Sequence, residues 1–447
     1  MKAFETDQIR NIALVGQRGC GKTSLADAIA YSSGITNRLG KVDEGTSLSD
    51  FKDEEINRKT SIGLAILACP WKEKKINVID LPGHPDFIGE LLAGMNVVET
   101  VIMVINATAG IEVGTEIQYK YIQKFNLPRL FFLNKIEKEN VRVSEIIAQL
   151  QERFGLKAAP VQLPIGSGLT YKGIVDLIKM KGITFDGSGK PTVGEVPADM
   201  KATAEEARAK LVEAVAEADD ALLEKFFEAG ELTPEEFLGG FKKAINSRTL
   251  YPILMGSADA NSAVHTLMDF IVEYMPSPAD RSPVNLLKAG KDEIVPIDVK
   301  ADDKTVAYVF KSVSEAHIGD ISYFKVIAGK VAQGLELVNG RRSSTERLSQ
   351  IYSICGKERK EISECLAGDI GAMVKLKSTT TGDTLSVKGL DVVVPDIEYP
   401  EPVMDAGVKP KSKGDEDKLS TGLQKLRDED PTFRIVIDPD LRQTVLF

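Results

Sequence analysis

The chain has 447 residues, enough for about three domains at roughly 150 residues each. Apolar types make up 43% and charged types 27%, a globular composition that excludes a disordered chain, a collagen-like chain and a disulfide-stapled miniature. The net charge of −10 argues against coating nucleic acid through bulk positive charge, while leaving room for docking on a nucleoprotein through local patches.

The first ten residues, MKAFETDQIR, hold no apolar segment of a leader, and no apolar run reaches about 18 residues, so a soluble cytoplasmic protein is expected. Residues 11–16 (NIALVG) form a short apolar run ending in glycine, and 22–31 has helical spacing. Further buried strands are expected at 76–80 (INVID), 100–106 (TVIMVIN) and 129–134 (RLFFLN). Short apolar strands separated by helices make a parallel α/β sheet, whose ligands bind at the carboxyl ends of the strands. A turn-rich piece and a charged helical run (199–229) interrupt this pattern before YPILMG (251–256) resumes it, so an insertion of about 158–247 is expected. PSPADRSP (276–283) reads as a linker. Beyond it the period becomes two, with strands expected at 306–313, 322–331, 347–352 and 370–376, the signature of a β-barrel. A helix at 415–427 and a strand at 433–437 follow. The fold expected is an α/β P-loop domain (1–283) with an inserted α+β subdomain, then a β-barrel domain (284–400) and the start of an α+β domain (401–447). The basic runs GKERK (356–360) and KPKSK (409–413) read as solvated faces. Cys69, Cys355 and Cys365 read as small core hydrophobes, and the four cysteines and three histidines make no zinc constellation.

Gly16-Gln17-Arg18-Gly19-Cys20-Gly21-Lys22-Thr23, followed by Ser24, fits G-x-x-x-x-G-K-[ST] between a strand and a helix. Such a loop turns backbone N–H groups onto a polyphosphate at a helix N-terminus, with Lys22 on the β- and γ-phosphates and the Thr23 hydroxyl on Mg²⁺. Asp80-Leu81-Pro82-Gly83 ends the strand INVID. Asp80 is placed to hold Mg²⁺, directly or through water, and the Gly83 N–H can approach a γ-phosphate. Asn134-Lys135-Ile136-Glu137 ends RLFFLN, where the Glu137 carboxylate can accept from both N1–H and the 2-amino group of guanine. Gly256-Ser257-Ala258 can close over the base through backbone N–H groups.

Four such motifs in this order resemble the translational GTPases, most closely elongation factor G. QLPIGSG (162–168), GIVDLIKMK (173–181), YMPSP (274–278), AGDIGA (367–372), TGDTL (381–385) and EDPTFR (429–434) extend the resemblance over essentially the whole chain. The segment 38–62 is closer to the elongation-factor-G-like paralogues. The resemblance implies GTP/GDP and Mg²⁺ as ligands, a monomer acting on the ribosome (its RNA and proteins) with no membrane, and a chain that stops inside a third domain. It also implies that His84 orients the attacking water once ribosomal RNA positions it, and that the first switch supplies a Mg²⁺ ligand, Ser61, with Thr60 as an adjacent competitor. In the family an aliphatic residue in the P-loop and one in the first switch form an apolar gate around that water. Arg18 and Thr60 stand at those positions here, so both halves are altered. Arg18 is read as a salt bridge at the loop rim, the alternative being stabilisation of transition-state charge in cis. Asp86 is expected to cap the helix that follows His84. His265 and His317 are given no role, and the lone Trp71 is read as packing or an exposed strand residue. Three readings remain: a ribosome-dependent GTPase, a ribosome-docking module with little hydrolysis, and a P-loop enzyme acting on another nucleotide.

Overall fold

The computed structural model describes residues 3–315, 319–412, 414–438 and 443–447. Its centre is a mixed sheet built from β1 (Ile9–Val15), β2 (Ala65–Trp71), β3 (Lys74–Asp80), β4 (Thr100–Asn106), β5 (Arg129–Asn134), β6 (Ala158–Pro160) and the strand Tyr251–Met255. Their spatial order is β2, β3, β1, β4, β5, Tyr251–Met255, β6, all parallel except β2. The strands are largely apolar because both faces are covered, with buried polar residues at Arg10, Asn11, Lys75 and Asn77 near the starts of β1 and β3. Ala13, Val15, Met103 and Phe131 enter one core with Leu91 and Met95, and Ile12, Leu14, Ile102 and Phe132 enter the other with Leu25, Ile29 and Leu267. The antiparallel strand β2 was not among the expected strands. It joins β3 through Lys72 (φ 45°) and Glu73 (φ 61°), left-handed residues of types that give no hairpin signal in a sequence.

After β6 the chain forms an antiparallel sheet of Gln162–Ile165, Gly173–Asp176, Lys181–Phe185 and Pro191–Gly194. The charged run breaks into two helices, Lys201–Ala216 and Asp220–Ala229, because Asp219 accepts from the N–H groups of Ala221 (3.0 Å) and Leu222 (3.3 Å) and starts a new helix. Past the linker, antiparallel strands enclose a separate core of Val309, Phe324, Val326, Leu337 and Met373. The longest are Val306–Glu315 and Gly319–Ala328. The C-terminal piece pairs Ala406–Val408 and Ile435–Asp438 with Gln443–Leu446, beside a helix, Glu416–Glu429. Among the described residues no helix is long and apolar enough to cross a membrane.

A buried polar network docks the barrel on the first domain. Lys75 Nζ lies 2.8 Å from Asp369 Oδ1, the two side chains being 5% and 7% exposed. Asn77 also donates to Asp369 (2.9 Å), and Asn11 donates to Glu99 (2.7 Å) and to the Gly368 carbonyl (2.7 Å). Lys325 of the barrel pairs with Glu99. Removing one member of such a pair strands a buried charge and costs about 3–5 kcal/mol. Lys75→Met is therefore expected to lower stability by that amount in chemical unfolding. Adding Asp369→Asn, which keeps the acceptor for Asn77 and for the Ile370 N–H, is expected to recover most of it.

Candidate nucleotide-binding site

The loop from β1 to helix α1 (Lys22–Ser32) curls at the carboxyl end of the sheet. Gly21, the residue before the helix, has φ 93°, and a Cβ there would collide with the Asn134 side chain, so only glycine fits. Gly16 N–H is held by the side-chain oxygen of Gln118 (2.5 Å), a support that the sequence did not flag. Gln17 is half-buried and Cys20 is buried. Lys22 Nζ donates to the carbonyls of Gly16 (2.9 Å) and Gln17 (3.2 Å), and Lys135 Nζ to that of Gly19 (2.8 Å). Gly83 from the second switch lies so close that a Cβ on it would stand 2.8 Å from the Arg18 nitrogen and from the Gly16 oxygen.

A cavity of about 240 Å³ is lined by residues that include Arg18, Gly19, Gly21, Lys22, Thr23, Ser24, Asp50, Thr60, Ser61 and Gly83, while Gly16, Gln17 and Cys20 stand outside its lining. A neighbouring space of about 280 Å³ continues along Ser24, Gly40, Val42, Ala258 and Asp259. The first switch thus closes over the P-loop. Of the two competing hydroxyls, Ser61 Oγ stands 3.1 Å from Thr23 Oγ1, whereas Thr60 Oγ1 turns away, donating to the Arg58 carbonyl (3.2 Å). Asp80 lies behind them, 1% exposed, with neither carboxylate oxygen hydrogen-bonded among the described residues. Burial first, then the charge of Asp50, pushes its pKa up to about 8, against the opposing pull of Lys22 and Thr23. An orphaned buried carboxylate beside two hydroxyls fits a hard, oxygen-seeking cation, which would meet Thr23 and Ser61 with Asp80 behind. Asp50, 4% exposed and beside Ser61, is a member of this corner that sequence reasoning missed, since nothing in 38–62 separates it from the surrounding acidic residues.

At the other end, Asn134 Nδ2 donates to the Cys20 carbonyl (2.9 Å), and its Oδ1 accepts from the N–H groups of Lys135 (2.9 Å) and Ala258 (3.0 Å). Both Glu137 oxygens are buried without a hydrogen-bond donor among the described residues, with Lys138 Nζ 3.5 Å from one of them. A bidentate acceptor suits the N1–H and 2-amino edge of guanine in its chemistry, but Glu137 lines neither of these two spaces. The N–H groups of Ser257 and Ala258, expected to meet the base, are spent inside the fold, on the Ser262 carbonyl (3.0 Å) and on Asn134.

Two further expectations are corrected. Arg18 forms no ion pair among the described residues. Its Nε donates to Thr60 Oγ1 (3.1 Å) instead. Asp86 does not cap the helix α3 (Ile88–Met95), whose N-cap is Phe87 without a side-chain bond. Its backbone N–H donates to His84 Nδ1 (3.3 Å). His84 is adjacent to Gly83 in the chain but does not line the cavity, and its ring sits beside Asp86 and Phe87. Trp71 donates to Asp269 (2.7 Å) beside His265, and His317 lies outside the described residues.

A largely parallel α/β sheet with a glycine-rich loop between its first strand and helix, and two switch-like segments folded over that loop, defines a P-loop protein of the GTPase class. Residues 7–277 match the family described as the elongation factor Tu GTP binding domain, 304–388 match elongation factor G domain 2, and 399–447 match elongation factor G domain III. The chain belongs to the translational GTPases of the elongation factor G type. A crystal structure of a protein from Thermus thermophilus superposes over 99% of this chain at 27% identity with a TM-score of 0.87. The chain spans 64% of that protein's length.

Asp27 of α1 anchors the first switch from below. It is fully buried, accepts from the Leu48 N–H (2.8 Å), and its second oxygen has no hydrogen-bond donor among the described residues. Burial, opposed by bonds from Leu48, Ser47 and Ser49, pushes its pKa up to about 6 from 3.8. A carboxyl raised by folding contributes stability that is present below about pH 4 and lost as pH rises through about 6, at most about 3 kcal/mol. The Asp27→Asn protein should therefore show a flatter stability profile than the parent across that window in nucleotide-free unfolding titrations.

Proposed function

We propose that the protein is a ribosome-associated GTPase that binds GTP with Mg²⁺ and hydrolyses it to GDP and phosphate, with the two switches coupling the state of the γ-phosphate to the β-barrel domain. The observation that carries this reading is the corner where Thr23, Ser61 and Asp80 meet beside Lys22 and Gly83, because it joins P-loop and both switches at one point. Lys22 and the loop N–H groups bind the β- and γ-phosphates, and Asn134, Lys135 and Glu137 hold the guanine end. Thr23, Ser61 and Asp80 would hold Mg²⁺, which would supply positive charge to offset that of the phosphates. His84 orients the attacking water after the ribosome turns it inward. Loss of the γ-phosphate removes what Lys22, Ser61 and Gly83 share, and the switches relax. The link outward runs through Glu90 of α3, which accepts from the Leu64 N–H at the end of the first switch (2.8 Å) and pairs with Lys311 of the barrel. Domain limits at about 283 and 400, a monomer and a cytoplasmic location belong to the same reading.

The place of His84 outside the cavity lining supports a second reading, a nucleotide-dependent module that docks on ribosomes and hardly hydrolyses. GTP turnover with and without ribosomes separates the two. Stimulation of at least about tenfold, lost in His84→Ala, is expected for the GTPase. Absence of stimulation, or His84→Ala matching the parent, would favour the docking module.

A further inference from the structure

The two altered halves of the gate touch each other. Arg18 in the P-loop and Thr60 in the first switch, where the resemblance places an apolar pair, are joined by the Nε–Oγ1 hydrogen bond of 3.1 Å. Thr60 is fixed in turn, because its own proton goes to the Arg58 carbonyl. Arg18 is thereby held between both switches, its side chain on Thr60 and its backbone nitrogen against Gly83.

The cations lining this cavity differ in what occupies them. Lys22 and Lys135 are spent on P-loop carbonyls, and Lys59 pairs with Asp43 (3.6 Å). Arg18 uses only Nε. Its two terminal nitrogens donate to nothing among the described residues, and it has no carboxylate partner. A guanidinium with its fork open, at the corner where Lys22, Ser61 and Gly83 converge, matches the planar, multi-oxygen charge of a phosphoryl group in flight.

We infer that Arg18 is a catalytic arginine supplied in cis, which Thr60 steers onto the γ-phosphoryl group. The inference rests on the GTPase reading above and assigns to the chain a share of catalysis that needs no partner. Water attacks the γ-phosphorus, and the bond from that phosphorus to the β–γ bridging oxygen breaks. The electron pair stays on that oxygen in GDP, and the water's protons leave on inorganic phosphate and to solvent. Arg18 neutralises the charge that builds on the bridging and γ-oxygens.

The test is single-turnover GTP hydrolysis by the intact chain without ribosomes, alongside GDP affinity and capture of GDP with aluminium fluoride. The parent protein is expected to hydrolyse GTP and to trap GDP–aluminium fluoride unaided. Arg18→Ala is expected to lower the hydrolysis rate at least about 100-fold and to abolish trapping, while GDP affinity stays within about threefold. Arg18→Lys, which keeps charge but loses the fork, is expected to recover only a small part, and Thr60→Val to lower the rate by less than Arg18→Ala. A parent that binds GTP tightly but neither hydrolyses nor traps on its own, or an Arg18→Ala protein that matches the parent, would overturn the inference and leave the family reading standing. Failure of the parent to bind guanine nucleotides would overturn the GTPase reading itself.

Discussion

The buried carboxamide of Asn134 holds three loops in one place. It donates to the P-loop at Cys20 and accepts from the N–H groups of Lys135 and Ala258, so the phosphate cradle, the base-reading turn and the loop after Tyr251–Met255 share one rigid hub. Because it is 1% exposed, those bonds face no competition from water, and a lost partner would leave a desolvated polar group. Gly21 completes the arrangement by letting the backbone lie directly on the amide. The hub ties the phosphate loop to the turn that carries Lys135 and to the loop that carries Ala258.

The opposite requirement, movement, is met by the switches. Among the described residues the first switch is attached by bonds that include Leu48 to Asp27 below, Thr60 to Arg18 and Ser61 to Thr23 inside, and Leu64 to Glu90 at its end. Glu90 also pairs with Lys311, whose amine donates to the Glu429 carbonyl (3.1 Å). Glu429 in turn accepts from the Ser314 N–H (2.7 Å). One carboxylate on α3 therefore touches the end of the first switch and the barrel, and through Lys311 the C-terminal helix. The barrel hairpin adds a contact of its own, the Gly356 N–H donating to the Ile66 carbonyl (2.8 Å). A change at the γ-phosphate corner has a short, hydrogen-bonded path out, while the Lys75–Asp369 network keeps the two domains docked.

The parts legible in the sequence were those encoded locally. The P-loop, INVID followed by DLPG, and RLFFLN followed by NKIE each combine an apolar strand with a turn whose residue types state its chemistry, and these stand where expected. Strand β2 was hidden because Lys72 and Glu73 make its turn, and because Pro70 weakens its strand character. Pairings across hundreds of residues, such as Lys75 with Asp369, and across the switch, such as Arg18 with Thr60, were invisible because no spacing rule links them. Asp50 and Asp27 acquire their importance from burial, which a string of letters does not carry. Arg18 was misread for a related reason. A surface salt bridge is the ordinary fate of an exposed arginine, and only the geometry reveals that no carboxylate among the described residues pairs with it.

The most direct measurement is a crystal structure of the protein with Mg²⁺ and a non-hydrolysable GTP analogue. The account predicts one nucleotide spanning the Asn134 hub, with Lys22 on the β- and γ-phosphates, Thr23 and Ser61 on the metal and both Glu137 oxygens on the guanine edge. A nucleotide seated elsewhere, or one whose base Glu137 does not touch while Thr60 rather than Ser61 meets the metal, would contradict it.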